Sequence, residues 1–148
     1  MSLSREIKNV HSIFIDTAPI IYYIEAHPQF GPLVKEVVKD FQTGRLIAFS
    51  SVITLTGVLP KPIEAGDLKL AGKLADFLKF GGNIKLVEIS EDIADKAGKL
   101  RGKYPALKTI DALQIAAAIH VRADVFLTND KKLKKVKEIQ IMVLSDYL

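Results

Sequence analysis

The chain has 148 residues, 49% of them hydrophobic and 26% charged, which is typical of a globular protein with a sizeable core. It has no cysteine, which excludes disulfides and thiolate metal sites, and no apolar run long enough for a membrane helix. The net charge of +4 favours an anionic partner only weakly. Because the polar start (MSLSREIKNV) lacks an apolar signal core, we expect a cytoplasmic protein.

The N-terminal part of the chain predicts one strand and two helices. Residues 1–11 form a polar lead, and Ser12–Asp16 (SIFID) is typical of a buried strand, here one that ends in an acid. Pro19 suits the first turn of the following helix, IIYYIEA. The next segment, FGPLVKEVVKDFQTG, has a helical stripe of apolar residues that is closed by Gly44.

The middle of the chain predicts two further strands on either side of a loop. Leu46–Phe49 (LIAF) is the second strand, and Ser50 or Ser51 can cap the helix VITLTGVL. Residues 60–67 (PKPIEAGD) form the most loop-like stretch. LKLAGKLADFLKF is an amphipathic helix that two glycines end, and Ile84–Ile89 is the third strand.

The C-terminal part predicts two helices and two strands. SEDIADKAGKLRGKY is a capped helix, and Thr109 can cap the helix IDALQIAAAIHVR. Asp124–Leu127 and Ile139–Leu144 are the fourth and fifth strands. Strands separated by helices of about ten to fifteen residues favour right-handed crossovers. We therefore predict an α/β fold, a three-layer α/β/α sandwich with a mostly parallel sheet, in one domain spanning residues 1–148.

Three aspartates far apart in the sequence are predicted to meet at one edge of this sheet. Asp16 ends the first strand, Asp130 follows the fourth, and Asp111 begins the helix that leads into the fourth. Clustered carboxylates raise each other's pKa unless a cation neutralises them. Oxygen ligands without cysteine or well-placed histidine favour Mg²⁺ or Mn²⁺, which suits phosphodiester hydrolysis. Each acid alone also has an ordinary explanation, as a helix-dipole acid, a turn residue or a helix cap.

Four motifs, taken in their order along the chain, resemble the PIN-domain family, and in particular the VapC-type ribonucleases of prokaryotic toxin–antitoxin pairs. They are FIDTAPIIYYIE, SSVITLTGVLPKP, TIDALQIAAAI and VFLTNDKKL, and the resemblance covers about residues 12–148. It implies metal-binding and catalytic roles for Asp16, Asp111 and Asp130. It also implies that the Thr128 hydroxyl orients the acids or the attacking water.

One position departs from the family's pattern. Members usually carry a glutamate inside the third helix, where this sequence has Gly57. A glycine inside a helix costs about 0.5–1 kcal/mol relative to alanine, so it calls for a reason: close packing, functional loss or an introduced change. Glu25 and Glu64 are the nearest substitutes in the sequence, and Asn129 is a weaker candidate for the site. Because Mg²⁺ often uses only one or two carboxylates, the three aspartates still suffice for one ion.

The resemblance implies a divalent-metal-dependent endoribonuclease, the toxin of a toxin–antitoxin pair, and leaves open whether Gly57 impairs its activity. The alternative is a non-catalytic PIN module that binds RNA or a protein partner. The implied partners are an RNA substrate, an antitoxin protein and a second copy of the chain. A homodimer is expected because the early apolar side chains exceed what one helix face can bury, namely Ile20, Ile21, Tyr22, Tyr23 and Ile24.

A lysine-rich stretch, KKLKKVK, directly follows Asp130. Since phosphate contacts dominate nucleic-acid affinity, these lysines are candidate RNA-binding residues. The candidates are Lys131, Lys132, Lys134 and Lys135. A solvated helix face is the other interpretation of the same pattern.

Overall fold

Five parallel strands form one sheet in the computed structural model, which describes residues 2–148. The strands are β1 (Ser12–Ile15), β2 (Ile47–Ser51), β3 (Ile84–Val87), β4 (Val125–Thr128) and β5 (Gln140–Val143). Their order across the sheet is β3-β2-β1-β4-β5, and every neighbouring pair is parallel. The sequence predicted each strand and the parallel arrangement, with ends that differ by one or two residues.

The order of the strands defines a switch point in the sheet. From β1 the chain first builds β2 and β3 on one side, and it then returns to build β4 and β5 on the other side. The winding therefore reverses between the neighbouring strands β1 and β4. Connections that leave such a pair diverge, and open α/β sheets bind ligands in the resulting crevice beyond the carboxyl ends of the strands.

Helices cover both faces of the sheet, as the alternation of helices and strands predicts. The α-helices are α1 (Leu3–Glu6), α2 (Thr17–Ile24), α3 (Gly31–Gln42), α4 (Val52–Val58), α5 (Pro60–Glu64), α6 (Leu68–Lys79), α7 (Glu91–Lys103) and α8 (Thr109–His120). Short 3₁₀ helices form at Ile7–Asn9, Lys131–Lys135 and Leu144–Tyr147. None of the helices within residues 2–148 is both long and apolar enough to cross a membrane.

Alternate side chains of the central strands pack into two hydrophobic cores. Ile13 and Ile15 of β1 face a core built with α1, α2, α3, α4 and α6. Phe14, between them, faces the other core, where it stacks on Phe126 of β4 with ring centroids 5.4 Å apart, against α7 and α8. Successive strand residues point to opposite faces, so each strand serves both cores. The predicted three-layer α/β/α sandwich is confirmed.

The structure corrects two predictions about helix boundaries. Residues 60–67 were predicted as a loop, yet Pro60–Glu64 forms α5. Both prolines lie in the first turn of α5, where backbone N–H groups have no acceptor within the helix, so proline is compatible with helix there. Thr109 was predicted as the cap of α8, but it is the first helical residue, and the cap position is Lys108, whose side chain makes no capping hydrogen bond.

The N-terminal segment also differs from the predicted polar lead. Ser2 caps α1 by accepting a hydrogen bond from the N–H of Arg5 (3.3 Å). Leu3 and Ile7 are both buried in the core that contains α2 and α3. Residues four apart share one face of a helix, so two apolar side chains are enough to anchor this short segment despite its polar neighbours.

Candidate active site

The three candidate aspartates lie at the ends of the elements that meet at the carboxyl edge of the sheet. Asp16 directly follows β1 and caps α2, and Asp130 lies two residues after the end of β4. Asp111 is in the first turn of α8. Because α8 leads into the parallel strand β4, its first turn faces the same edge as the ends of the strands. Asp16 and Asp130 therefore flank the crevice at the switch point.

Asp16 is held at both of its carboxylate oxygens. Oδ1 accepts a hydrogen bond from the N–H of Thr17 (2.8 Å), and Oδ2 accepts one from the hydroxyl of Thr128 (2.8 Å). The side-chain amide nitrogen of Gln114 lies 3.5 Å from Oδ1. These contacts, all with protein groups, hold the carboxylate in one orientation.

Burial and neighbouring charge raise the pKa values of two of the three aspartates. Burial raises the pKa of Asp16, and the carboxylate of Asp130 adds to this rise. Burial likewise raises the pKa of Asp111, with further contributions from the charges of Asp16 and Asp130, while Lys108 lowers it. Carboxylates that perturb one another in this way are a frequent feature of functional sites and favour a bound cation.

Thr128 connects two of the aspartates. Its side chain is buried at the end of β4, where Oγ1 donates to Asp16 and accepts a hydrogen bond from the N–H of Asp130 (3.2 Å). Asp130 is exposed, and its Oδ1 accepts a hydrogen bond from the N–H of Lys132 (3.0 Å). Thr128 thus contacts the carboxylate of Asp16 and the backbone of Asp130.

A buried polar network behind Asp16 was not predicted from the sequence. The Gln114 amide nitrogen donates to the Thr54 hydroxyl (2.7 Å), and its carbonyl oxygen accepts a hydrogen bond from the Ser51 hydroxyl. All three side chains are fully buried. Buried polar groups are retained where they are hydrogen-bonded, and this network ties α4, α8 and the end of β2 together beside the site.

The sequence contained a signal for this network. Gln114 is the one strongly polar side chain in the buried stretch of α8, and it lies three residues after Asp111, a spacing that places both on one side of the helix. The prediction that Ser50 or Ser51 caps α4 is confirmed for Ser51, which accepts a hydrogen bond from the N–H of Ile53 (3.1 Å).

Asn129, the weaker candidate, has both ends of its side-chain amide engaged by the protein. Its nitrogen donates to the Tyr22 hydroxyl (3.3 Å), and its oxygen accepts a hydrogen bond from the N–H of Ser145 (3.0 Å). These contacts join the end of β4 to α2 and to the C-terminal 3₁₀ helix, so Asn129 has a structural role.

Gly57 of α4 lies opposite the first turn of α2. A Cβ atom at this position would be 3.0 Å from Cγ2 of Thr17, the residue that follows Asp16. A side chain here would therefore start next to the Asp16 end of α2. Of the two substitutes considered from the sequence, Glu25 lies at the opposite end of α2, about 13 Å along the helix from Asp16, and Glu64 is exposed at the end of α5.

A cleft of about 330 Å³ opens beside Asp111 and Asp130. Three lysines contribute to its walls, and two of them, Lys132 and Lys135, are among the predicted RNA-binding residues. The third, Lys108, was not predicted. The other predicted lysines differ in their surroundings: Lys134 pairs with Asp146, and Lys131 is exposed outside the cleft walls.

The aspartates supply hard oxygen ligands but do not form a closed metal cage. Within residues 2–148, no group of three or more histidine, cysteine, aspartate or glutamate side chains lies close enough together to hold a metal ion. Mg²⁺ and Mn²⁺ commonly take one or two carboxylates and keep several waters. The donor set therefore fits an ion held by part of this group, and the three-aspartate metal site stays a prediction.

The sequence matches a known protein family, and the fold is similar to those of several solved structures. The sequence model of the family described as PIN domain matches residues 13–139. The fold is similar to VapBC2 from Rickettsia felis bound to a DNA fragment from their promoter, with 18% identity over 89% of this chain and 98% of that chain and a TM-score of 0.70. No curated protein sequence matches the chain significantly.

Two further solved structures share the fold. DNA-bound VapBC from Salmonella typhimurium is 17% identical over 90% of this chain and 98% of that chain, with a TM-score of 0.70. VapC20 of Mycobacterium tuberculosis, described as a toxin that cleaves the sarcin-ricin loop, is 14% identical over 86% of this chain and 98% of that chain, with a TM-score of 0.67. The predicted resemblance to the PIN domains of VapC type is confirmed at the level of the fold.

Proposed function

The chain belongs to the PIN-domain family, and from this premise we propose that it is a divalent-metal-dependent endoribonuclease, the toxin of a toxin–antitoxin pair. The observation that carries the proposal is the carboxylate of Asp16, which is held at both oxygens at the switch point of the sheet. Asp111 and Asp130 lie near enough to contribute charge to the same site. The similarity to VapC structures, one of them a toxin that cleaves the sarcin-ricin loop, supports the choice of RNA as substrate.

Asp16, Asp111 and Asp130 are the residues from which the carboxylate ligands of Mg²⁺ or Mn²⁺ would come, with one or two of them binding the ion directly. Such an ion, when bound, supplies a hydroxide nucleophile near neutral pH and offsets the charge that develops on the phosphate. The N–H of Thr17 and the hydroxyl of Thr128 keep both oxygens of Asp16 in place. Because the metal-binding side chain is already oriented, no free energy is spent on ordering it during the reaction.

Thr128 is expected to affect RNA cleavage by holding Asp16 and the backbone of Asp130 in place rather than by contacting the RNA. Thr128→Val keeps the shape of the side chain but removes the hydroxyl that holds the Asp16 carboxylate and the backbone N–H of Asp130, so cleavage should fall by about 10–100-fold. Thr128→Ser should restore most of the rate because it restores the hydroxyl. The measurement is the rate of RNA cleavage at several Mn²⁺ concentrations, and a valine variant as active as the native chain would contradict the role.

The direct test of the activity is a cleavage assay on a labelled RNA oligonucleotide with Mn²⁺ or Mg²⁺, using EDTA as the control. We expect cleavage that depends on the divalent ion, and more of it with Mn²⁺, which is less demanding of its ligands. Cleavage that continues unchanged in EDTA would show that the acids act without a metal ion and would overturn the proposal.

A second function is favoured by two observations at the same site. Gly57 supplies no carboxylate where the family usually has one, and within residues 2–148 no three acids lie close enough to hold an ion. Both observations are compatible with a non-catalytic PIN module that binds RNA or a protein partner. Such a module would show no RNA cleavage at any Mn²⁺ concentration, whether it binds RNA or a protein, and this separates it from the nuclease.

An antitoxin is the proposed protein partner, because structures similar to this fold include VapBC complexes. We also propose that the chain forms a homodimer. The early apolar residues are not free for this contact: Ile20 is buried, and Ile21, Tyr22, Tyr23 and Ile24 pack against the same core. Large exposed apolar side chains occur elsewhere, at Ile63, Leu68 and Phe80 among others.

The dimer has a simple test in solution. Multi-angle light scattering at micromolar concentration should give about twice the mass of the 16.3 kDa chain. Leu68→Lys, which places a charge on an exposed apolar position of α6, is a variant that reports on whether that surface takes part. A native chain that remains at the mass of one copy across the concentration range would contradict the dimer.

A further inference from the structure

The lysine-rich segment after β4 forms a 3₁₀ helix, Lys131–Lys135, rather than an α-helix. Residues three apart lie on one side of a 3₁₀ helix because it has 3.0 residues per turn. Leu133 lies in this helix and Val136 directly follows it. The two are three residues apart and both are buried, as this geometry requires. The lysines form two rows, which we name the cleft row (Lys132 and Lys135) and the outer row (Lys131 and Lys134).

The two rows have different surroundings. Both lysines of the cleft row line the cleft that also contains Asp111 and Asp130. In the outer row, Lys134 pairs with Asp146 and lies along a separate shallow surface that includes Gln140. The two rows therefore carry the same formal charge but present it in different places.

Lys108 completes the positive side of the cleft. It belongs to the connection before α8, and the cleft brings it to Asp111 and to the cleft row. Burial raises the pKa of Asp111, and Lys108 is near enough to offset part of that rise. RNA phosphates approaching Asp111 and Asp130 meet like charge, and three ammonium groups in the same cleft offset that repulsion.

We propose that Lys108, Lys132 and Lys135 form a phosphate-binding site for the RNA strand beside the aspartates, and that the outer row does not take part. This inference rests on the proposed function for its choice of RNA. It narrows the four lysines predicted to bind RNA to the two of the cleft row and adds Lys108 from another part of the fold. The site reads the charge of the backbone, so it provides affinity and position rather than base specificity.

Two double variants with the same change in charge test the assignment. Lys132→Ala/Lys135→Ala removes the cleft row, and Lys131→Ala/Lys134→Ala removes the outer row as the matched control. All four side chains are exposed, so neither variant should unfold the chain, and thermal unfolding followed by circular dichroism verifies this. The readout is the Kd for a labelled single-stranded RNA, measured in EDTA over a range of salt concentrations.

The cleft-row variant should bind RNA about tenfold more weakly at low salt, and its slope of log Kd against log salt should fall by about 1.4, since each single-strand phosphate contact contributes about 0.7. The outer-row variant should bind like the native chain. Lys108→Ala should reduce the same slope by about 0.7. Equal losses in the two double variants, or no loss in the cleft-row variant, would overturn the assignment, and so would a native chain that does not bind RNA.

The outcome is separable from that of the proposed nuclease activity because binding is measured without a divalent ion. If the native chain never cleaves RNA but only the cleft-row variant loses RNA affinity, the phosphate site is supported and the nuclease activity is ruled out. Cleavage by the native chain together with equal binding by both double variants would support the nuclease while removing the phosphate site.

Discussion

Asp16→Asn is expected to reduce RNA cleavage by about 100-fold or more while leaving the protein folded. The asparagine can still cap α2, because its carbonyl oxygen can accept the hydrogen bond from the N–H of Thr17. What it removes is the negative charge and one of the two oxygens that would hold the ion. The measurement is the single-turnover cleavage rate with saturating Mn²⁺. A rate within a factor of two or so of the native one would remove Asp16 from the site.

The same substitution should make the metal-free protein more stable at neutral pH. Burial raises the pKa of Asp16 in the folded state, so the folded chain holds its proton to higher pH than the unfolded chain does. The stability contributed by the protonated form is fully present below the unfolded pKa and is lost as pH rises through the raised folded pKa. Asp111 acts in the same direction, since burial raises its pKa as well.

Urea unfolding in EDTA tests this linkage. The stability advantage of Asp16→Asn over the native chain should grow as pH rises above about 4, where an unfolded aspartate ionises. Adding Mn²⁺ at neutral pH should stabilise the native chain and have less effect on the variant, because an ion that binds only the folded state stabilises it. A native chain whose advantage over the variant grows with pH in EDTA would contradict the direction assigned to Asp16.

Gly57→Glu is expected to raise the cleavage rate by about tenfold or more and to leave RNA affinity nearly unchanged. The new side chain would begin beside Thr17, at the Asp16 end of α2, where a carboxylate can add a ligand or position water. It also removes a glycine from the interior of a helix, which partly offsets the repulsion it adds among the acids. RNA affinity should hold because the substitution leaves in place the lysines proposed to bind the phosphates.

Gly57→Ala is the matched control for this gain. A Cβ atom at position 57 would lie 3.0 Å from Cγ2 of Thr17, so any side chain requires Thr17 to shift. Alanine introduces that crowding without the carboxylate, and Thr17→Ser in combination with Gly57→Glu relieves it. If Gly57→Glu is as inactive as Gly57→Ala at every Mn²⁺ concentration, with or without Thr17→Ser, the nuclease loses its main support and the binding module becomes the better account.

The sheet could be predicted from the sequence because each strand is short, apolar and bounded by residues that end it. Ser12–Asp16 and Asp124–Leu127 both have this pattern, and the ends of these two strands place Asp16 and Asp130 at one edge of a parallel sheet. The strand order, which makes β1 and β4 neighbours, depends on long-range pairing that single-sequence patterns do not contain. The sequence therefore indicated a common edge for the acids but not the adjacency of their strands.

Two parts of the site could not be predicted, because the sequence patterns there fit more than one structure. Gln114 could have been a surface residue of α8, and only the packing of that helix shows that its amide is buried against Ser51 and Thr54. The lysine stretch allowed two interpretations, an RNA-binding stripe or a solvated helix face, and the sequence did not show which lysines share a side. After β4 the short connection to β5 favours a 3₁₀ helix instead, which changes the lysines that share a side.

The most direct test of the account is a Mn²⁺ titration of RNA cleavage by four chains: the native chain, Gly57→Glu, and each of these with Asp16→Asn. We expect cleavage to rise and saturate with Mn²⁺ in the first two, to be faster in Gly57→Glu, and to be lost in both chains that carry Asp16→Asn. Cleavage that is equal with and without Asp16→Asn, or that is absent from both the native chain and Gly57→Glu, would contradict a metal-dependent ribonuclease centred on Asp16.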